Sequence, residues 1–173
     1  AGLAEGGGQL LIVAGAAHGP VIRAQLRTIG VDATVIVEPE PRDSAAAVAV
    51  AAAWVGRFDP EAVAVIVASD HHVPDHAAFR AAALTAATAA RGGAIVTLGV
   101  RPTEPATAYG YIRAGAGEGV RTVEAFVEKP DALRAAEYVA SGRFSWNSGM
   151  FIWSNAALGR ALARHRPVLA ALA

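Results

Sequence analysis

The chain contains no cysteine, which excludes disulfide bridges and thiolate metal sites. It carries no excess of either charge: lysine and arginine total 15, as do aspartate and glutamate. That balance argues against a protein that works by coating nucleic acid or acidic lipid. A long hydrophobic run is also missing. The apolar fraction is 54% and the mean hydropathy +0.36, but alanine supplies much of both. The longest apolar stretch, Ala45 to Val55, is far shorter than the ~20 residues a spanning helix needs. No basic segment followed by an apolar core opens the chain, so a secretory leader is not expected. There is no internal repeat and no long linker. What remains is the profile of a cytoplasmic enzyme, neither nucleic-acid-binding nor membrane-bound. Its 173 residues are enough for one domain with a substantial core.

The pattern alternates strand and helix. Leu10–Val13 reads as a strand, Pro20–Ile29 as a helix stopped by Gly30, and Thr34–Val37 as a second strand. Asp43 or Ser44 caps an alanine-rich helix running to about Val55. Val63–Val67 is apolar throughout, as buried parallel strands are. A helix over Ala77–Ala90 and a strand over Ala94–Val100 follow. After Arg101 the pattern changes. Pro102 and Pro105 break it, Tyr109–Ile112 and Val120–Val127 read as strands, and Asp131 starts a helix to about Ser141. Phe144–Trp153 is extended and a last helix runs from about Asn155 to Arg164. The repetition predicts an α/β, Rossmann-like fold with a mostly parallel central sheet covered by helices on both faces.

Several segments carry chemistry. Asp70 closes the apolar stretch ending at Ser69, at the carboxyl edge where open α/β sheets place ligands. A carboxylate there suits Mg²⁺, which favours one or two carboxylates plus substrate phosphates; the alternative is a loop or capping carboxylate. His71, His72, Asp75 and His76 crowd behind it and invite a zinc hydrolase reading, but Val73 stands where a second histidine belongs. Exposed loop and helix-start residues explain the cluster better, because a zinc site needs its full ligand set. Glu38-Pro39-Glu40-Pro41-Arg42-Asp43-Ser44-Ala45 leads from a strand into a helix N-terminus with free N–H groups; taken locally, ordinary capping by Asp43 or Ser44 explains it better. Arg101 to Ile112 is a proline-shaped loop with Gly110 between Tyr109 and Tyr111. Gly6-Gly7-Gly8 has no basic or hydroxyl partner and precedes a strand, so it reads as flexible chain.

Two strings near the end are the most informative. Phe126-Val127-Glu128-Lys129-Pro130 is an apolar strand ending in an acid–base pair. Trp146-Asn147-Ser148-Gly149-Met150-Phe151 places an amide, a hydroxyl and a glycine at the mouth of another. Together they can grip a sugar: Glu128 accepts from hydroxyls, Lys129 neutralises phosphate, Asn147 donates and accepts, and Gly149 lets a ligand near the backbone.

In order and spacing these segments resemble the sugar-nucleotide pyrophosphorylases, the mannose-1-phosphate guanylyltransferases in particular. That pattern has Glu-Pro-x-x-Arg-Asn-Thr-Ala, here Glu38-Pro39 leading to Arg42-Asp43-Ser44-Ala45. It has Ser/Ala-Asp-His, here Ser69-Asp70-His71, and Pro-Thr-x-Pro-Glu-Thr-Gly-Tyr-Gly-Tyr-Ile, here Pro102 to Ile112. Phe-Val-Glu-Lys-Pro and Trp-Asn-Ser-Gly-Met-Phe match in full. The resemblance implies a Mg²⁺-assisted nucleotidyltransferase that turns GTP and mannose 1-phosphate into GDP-mannose and pyrophosphate. By the same likeness Asp70 holds Mg²⁺ and, with Lys129, serves catalysis. Arg42, Asp43, Ser44 and Ala45 lie near the guanine. Tyr109, Gly110, Glu128 and Asn147 surround the mannose, whose phosphate meets Lys129.

The chain also departs from the pattern. Asp43 replaces an asparagine, Ala106 a glutamate and Ala108 a glycine. The family's Gly-Gly-x-Gly-Thr-Arg-Leu-x-Pro-Leu phosphate loop and its later metal-binding aspartate are absent from these residues. The expectation is therefore a single nucleotidyltransferase domain, 1–173, incomplete at both ends. A non-catalytic sugar-nucleotide-binding homologue, a different sugar or base, and self-association all stay open.

Overall fold

The computed structural model describes residues 8–40 and 44–171. Part of the Gly6–Gly8 run, together with Arg42 and Asp43, lies outside the described residues. The elements run β1 (Leu11–Gly15), α1 (Gly19–Thr28), β2 (Thr34–Glu38), α2 (Ser44–Gly56), β3 (Val63–Ile66), α3 (His76–Arg91) and β4 (Val96–Val100). They continue with β5 (Tyr111–Ala114), β6 (Val123–Val127), α4 (Ala132–Ser141), β7 (Phe144–Ser154), α5 (Asn155–His165) and α6 (Pro167–Ala170). They group into two compact units, one built from the chain up to Ala62 and from Asn155 onward, the other from Val63 to Ser154.

In the first unit β1 and β2 pair in parallel, Leu11 opposite Thr34 and Gly15 opposite Glu38. Proline opens α1, where its missing N–H has no intrahelical partner to lose. The helix start sits tight on β2: a Cβ at Gly19 would lie 2.9 Å from Val37 Cγ2. The Asn155 backbone N–H donates to the Ala62 carbonyl at 2.9 Å, and its side-chain amide to Ala52 in α2 at 3.1 Å. The same amide leaves no room for a side chain at Gly56.

The second unit is organised by β7. This strand of 11 residues pairs antiparallel with β3, β4 and β5, and β6 pairs with β5. Ile152 faces Val65 across one edge and Val96 across the other. Trp146 faces Tyr111 across one edge and Val100 across the other. A strand has only two edges, so β4 follows one along its length while β3 and β5 share the other, end to end. Ile152, fully buried, packs with Ala86, Ala87 and Ala90 of α3 and with Val63, Val65, Val96 and Leu98. Asp75 caps α3 by accepting from the Ala78 N–H at 2.9 Å. Asp131 caps α4 likewise, and left-handed Gly142 (φ +65°) ends it. Tyr138 of α4 lies against buried Tyr111, ring centroids 5.5 Å apart, and stacks on Phe144 at 4.0 Å.

The α/β class is as expected, and every expected helix is present, joined by the unexpected α6. The expected parallel pairing is found between β1 and β2, whereas the pairings of the second unit are all antiparallel. β3 and β4 do run in the same direction, as a strand–helix–strand unit requires. A later strand, β7, lies between them, and that non-local insertion has no signature in local hydrophobic pattern. Replacing Ile152 by alanine should lower the unfolding free energy by about 2–5 kcal/mol. Urea denaturation followed by circular dichroism measures this, and a loss below about 1 kcal/mol would contradict a core centred on β7.

A candidate sugar-phosphate site at the gap beside β7

Between the ends of β3 and β5, one edge of β7 is left open. β3 stops with Ile66 opposite Phe151, and β5 starts with Tyr111 opposite Trp146. Residues 147–150 fill the interval. On the other edge the β4 register slips there: Thr97 faces Phe151 but Gly99 faces Asn147, so β7 carries two extra residues. Gly149, at φ +72°, supplies the left-handed backbone the bulge needs. The Ser148 hydroxyl accepts from the Met150 N–H at 3.1 Å.

The sugar-binding candidates meet at this gap. The Asn147 N–H donates to the Gly110 carbonyl at 2.8 Å. A Cβ at Gly110 would lie 2.8 Å from Glu128 Oε2 and 3.2 Å from Phe126 Cζ, so the carboxylate rests against the glycine backbone. Lys129 Nζ stands 3.7 Å from Glu128 Oε1. Both side chains are more than half exposed, and such a pair adds little stability. The Tyr109 ring meets Trp146 edge-on, centroids 5.1 Å apart. Buried Tyr111 fixes the preceding loop by donating its hydroxyl to the Ala106 carbonyl at 2.9 Å.

Lys129 is singular in two ways. It is the only lysine in the chain, every other cationic side chain of that class being arginine. Among the described residues it is also the only non-glycine with positive φ, +45°. Such a conformation costs about 1–3 kcal/mol and persists where the surroundings impose it, often at ligand sites.

Asp70 lies in the segment that follows β3. β3 is antiparallel to β7 and runs from Val63 opposite Ser154 to Ile66 opposite Phe151, towards Asn147. The chain then leaves the ladder earlier than the sequence predicts. Asp70 sits exposed in a turn, not at a strand end. Its carboxylate has no protein partner among the described residues. His71 and His72 are exposed, Asp75 serves as a helix cap and His76 begins α3. Among the described residues no three histidine, aspartate or glutamate side chains converge as a metal cage would require. An Mg²⁺ completed by substrate phosphates needs less, and one exposed, uncommitted carboxylate fits it. In the other unit, Ser44 and Ala45 open α2 with exposed side chains.

A 540 Å³ cavity lies elsewhere, lined by Arg113, Arg121, Glu124 and Arg143 past the far end of β5. Two of its arginines have ordinary structural roles. Arg113 Nε is 3.2 Å from Glu124 Oε2, and Arg143 follows the carbonyl end of α4. Sequence reading missed Thr97, a lone hydroxyl in apolar β4 whose Oγ1 is 2.8 Å from Asn147 Oδ1 and 3.0 Å from the Met150 carbonyl. Chemically the gap offers a carboxylate and amide for hydroxyls, an ammonium for a phosphate and an aromatic wall. That set suits a phosphorylated sugar.

Comparison with known proteins identifies the family. The nucleotidyl transferase family profile matches residues 3–170. The chain is 43% identical over 166 residues to the xanthan biosynthesis protein XanB of Xanthomonas campestris pv. campestris (strain B100), covering 90% of this chain and 36% of that protein. It is 40% identical over 151 residues to a mannose-1-phosphate guanylyltransferase of Sinorhizobium fredii, covering 85% of this chain and 30% of that one. The crystal structure of mannose-1-phosphate geranyltransferase from Thermus thermophilus superposes with a TM-score of 0.84 at 35% identity, covering 93% of this chain and 47% of that chain. The chain thus spans about a third of these curated relatives.

The Gly110 contacts generate a test. An added methyl collides only with the ends of the Glu128 and Phe126 side chains, which can move. Gly110→Ala should therefore cost less than about 1 kcal/mol of stability while displacing the Glu128 carboxylate. Thermal unfolding and a crystal structure of the variant check both. An unfolded variant, or an unmoved carboxylate, would contradict the contact.

Proposed function

The chain belongs to the nucleotidyl transferase family, and from that premise we propose that it carries the mannose-1-phosphate side of a guanylyltransferase site. In the reaction a phosphate oxygen of mannose 1-phosphate attacks the α-phosphorus of GTP. The bond between that phosphorus and the bridging oxygen to the β-phosphate breaks, and GDP-mannose and pyrophosphate result. No protein nucleophile is needed, so catalysis rests on alignment and charge neutralisation.

The observation that carries this reading is the convergence of Glu128, Gly110 and Asn147 beside a single strained lysine. Glu128 accepts hydrogen bonds from sugar hydroxyls, and the missing side chain at Gly110 makes the room in which its carboxylate rests. Asn147 adds an amide, while Tyr109 and Trp146 form a wall. Lys129 presents a compact point charge to the sugar phosphate, reducing repulsion between the attacking oxygen and the triphosphate. Asp70 would hold Mg²⁺, which supplies charge neutralisation on the nucleotide phosphates. The guanine contacts of Arg42, Asp43, Ser44 and Ala45 rest on sequence resemblance. The guanylyl and mannose choices draw support from the name of the Sinorhizobium fredii relative.

Lys129→Ala should weaken mannose 1-phosphate binding about tenfold, a loss of ~1.4 kcal/mol, with GTP affinity within about twofold. Calorimetric titration with each ligand decides, and equal losses for both would refute the assigned role. Asp70→Asn should abolish Mg²⁺-dependent turnover without lowering the thermal midpoint. Turnover that survives unchanged removes Asp70 from the metal site. Equal product formation with GTP, ATP, UTP and dTTP would sink the guanine assignment.

A further inference from the structure

The hydroxyl of Thr97 stands within hydrogen-bond distance of two oxygens, Asn147 Oδ1 at 2.8 Å and the Met150 carbonyl at 3.0 Å. A hydroxyl carries one proton and cannot donate fully to both. The carbonyl has no alternative role, because it can only accept. The carboxamide does, because its oxygen and nitrogen are nearly isosteric and their placement is decided by the hydrogen-bond network. All three groups are satisfied by one arrangement. Thr97 donates to Met150, and the Asn147 NH₂ group donates to Thr97 Oγ1. The Asn147 oxygen then faces away from Thr97.

From this we infer that Thr97 is a positioning residue for the sugar site. It fixes the Asn147 carboxamide so that oxygen, an acceptor, is presented to a sugar hydroxyl. The inference rests on the reading of Asn147 as a sugar contact. Two further features make Thr97 suited to the role. It is β-branched and lies in a strand, so its χ1 is restricted and its hydroxyl is pre-aimed. Its two partners bracket Ser148 and Gly149, so one side chain ties the bulge of β7 at both ends. The contacts are part-buried, where water competes less for the amide. Without the hydroxyl the carboxamide loses its anchor and can rotate, presenting NH₂ and oxygen in turn.

The test uses Thr97→Val, which keeps the shape and removes the hydroxyl, Thr97→Ser, which restores it, and Asn147→Ala. Affinities for mannose 1-phosphate and GTP are titrated separately. Thr97→Val should weaken mannose 1-phosphate binding about five- to tenfold, leave GTP affinity within about twofold, and be rescued by Thr97→Ser. The NMR signals of the Asn147 side-chain NH₂ should show slow hydrogen exchange in the parent and in Thr97→Ser, and fast exchange in Thr97→Val. A purely structural threonine would shift neither the ligand ratio nor that exchange. If Asn147→Ala loses mannose 1-phosphate affinity while Thr97→Val keeps it, or if the NH₂ exchange is fast in the parent, the positioning role is overturned alone. If Asn147→Ala binds as tightly as the parent, or the parent does not bind mannose 1-phosphate, the reading of the site falls and the inference with it.

Discussion

The organisation of the second unit depends on one strand having more neighbours than a strand of ordinary length can hold. β7 has 11 residues, about twice the usual five or six. That length lets two short strands, β3 and β5, share one edge, with β4 along the other. Two strands laid end to end cannot both reach the same residue, so a gap between them is a geometric consequence. Backbone groups at the gap are not covered by a ladder partner on that edge. The bulge at Ser148–Gly149 and the bond from Asn147 to Gly110 take up part of this deficit.

The strained backbone at Lys129 is held by the segment that follows it. Pro130, buried, follows it immediately, and Asp131 then caps α4. The turn from the end of β6 into the helix is thus fixed on its far side by ring closure and capping. A lysine with φ +45° is retained at a junction where glycine would be more comfortable. The chain otherwise uses arginine throughout. Arginine's wide planar fork suits bidentate contacts, whereas a lysine places a small charge at the end of a slim stem. Next to Glu128, the slimmer cation leaves more of the carboxylate uncovered.

Much of this was legible in the sequence, and the division between legible and illegible is physical. Helix starts came from punctuation that acts locally: Pro20 and Asp131 each sit where a first turn or a cap needs them, whereas the caps at Asp75 and Gly142 were found only in the structure. Apolar runs located the strands within a few residues. Tyr109 and Gly110 fell outside β5 because they belong to the loop that Tyr111 anchors through Ala106. The insertion of β7 between β3 and β4 was not legible, since it depends on contacts between residues such as Val65, Val96 and Ile152 that are far apart in the chain. Two short strings singled out Glu128, Lys129 and Asn147 by residue type, and the structure places Glu128 against Gly110 and beside Lys129, with Asn147 bonded to Gly110. Thr97 advertised nothing: one threonine in an apolar strand is ordinary, and only the register slip brings its hydroxyl to Asn147.

Asp70 occupies an intermediate position, and the contrast is instructive. The sequence suggested a Mg²⁺ carboxylate at a strand end; β3 does run towards the gap, but Asp70 lies beyond it in an exposed turn. Yet it is exposed and carries no partner among the described residues, whereas a preformed cation cage would surround it with other oxygens. Magnesium keeps much of its water and dehydrates reluctantly, so a protein that must bind and release phosphates gains from contributing few ligands of its own. A single carboxylate beyond the end of β3 would then act as a tether, with the substrate phosphates completing the coordination. On that argument the sparse surroundings of Asp70 are compatible with a metal that arrives together with the nucleotide. They are much less compatible with a structural ion, whose ligands the fold itself would have to supply.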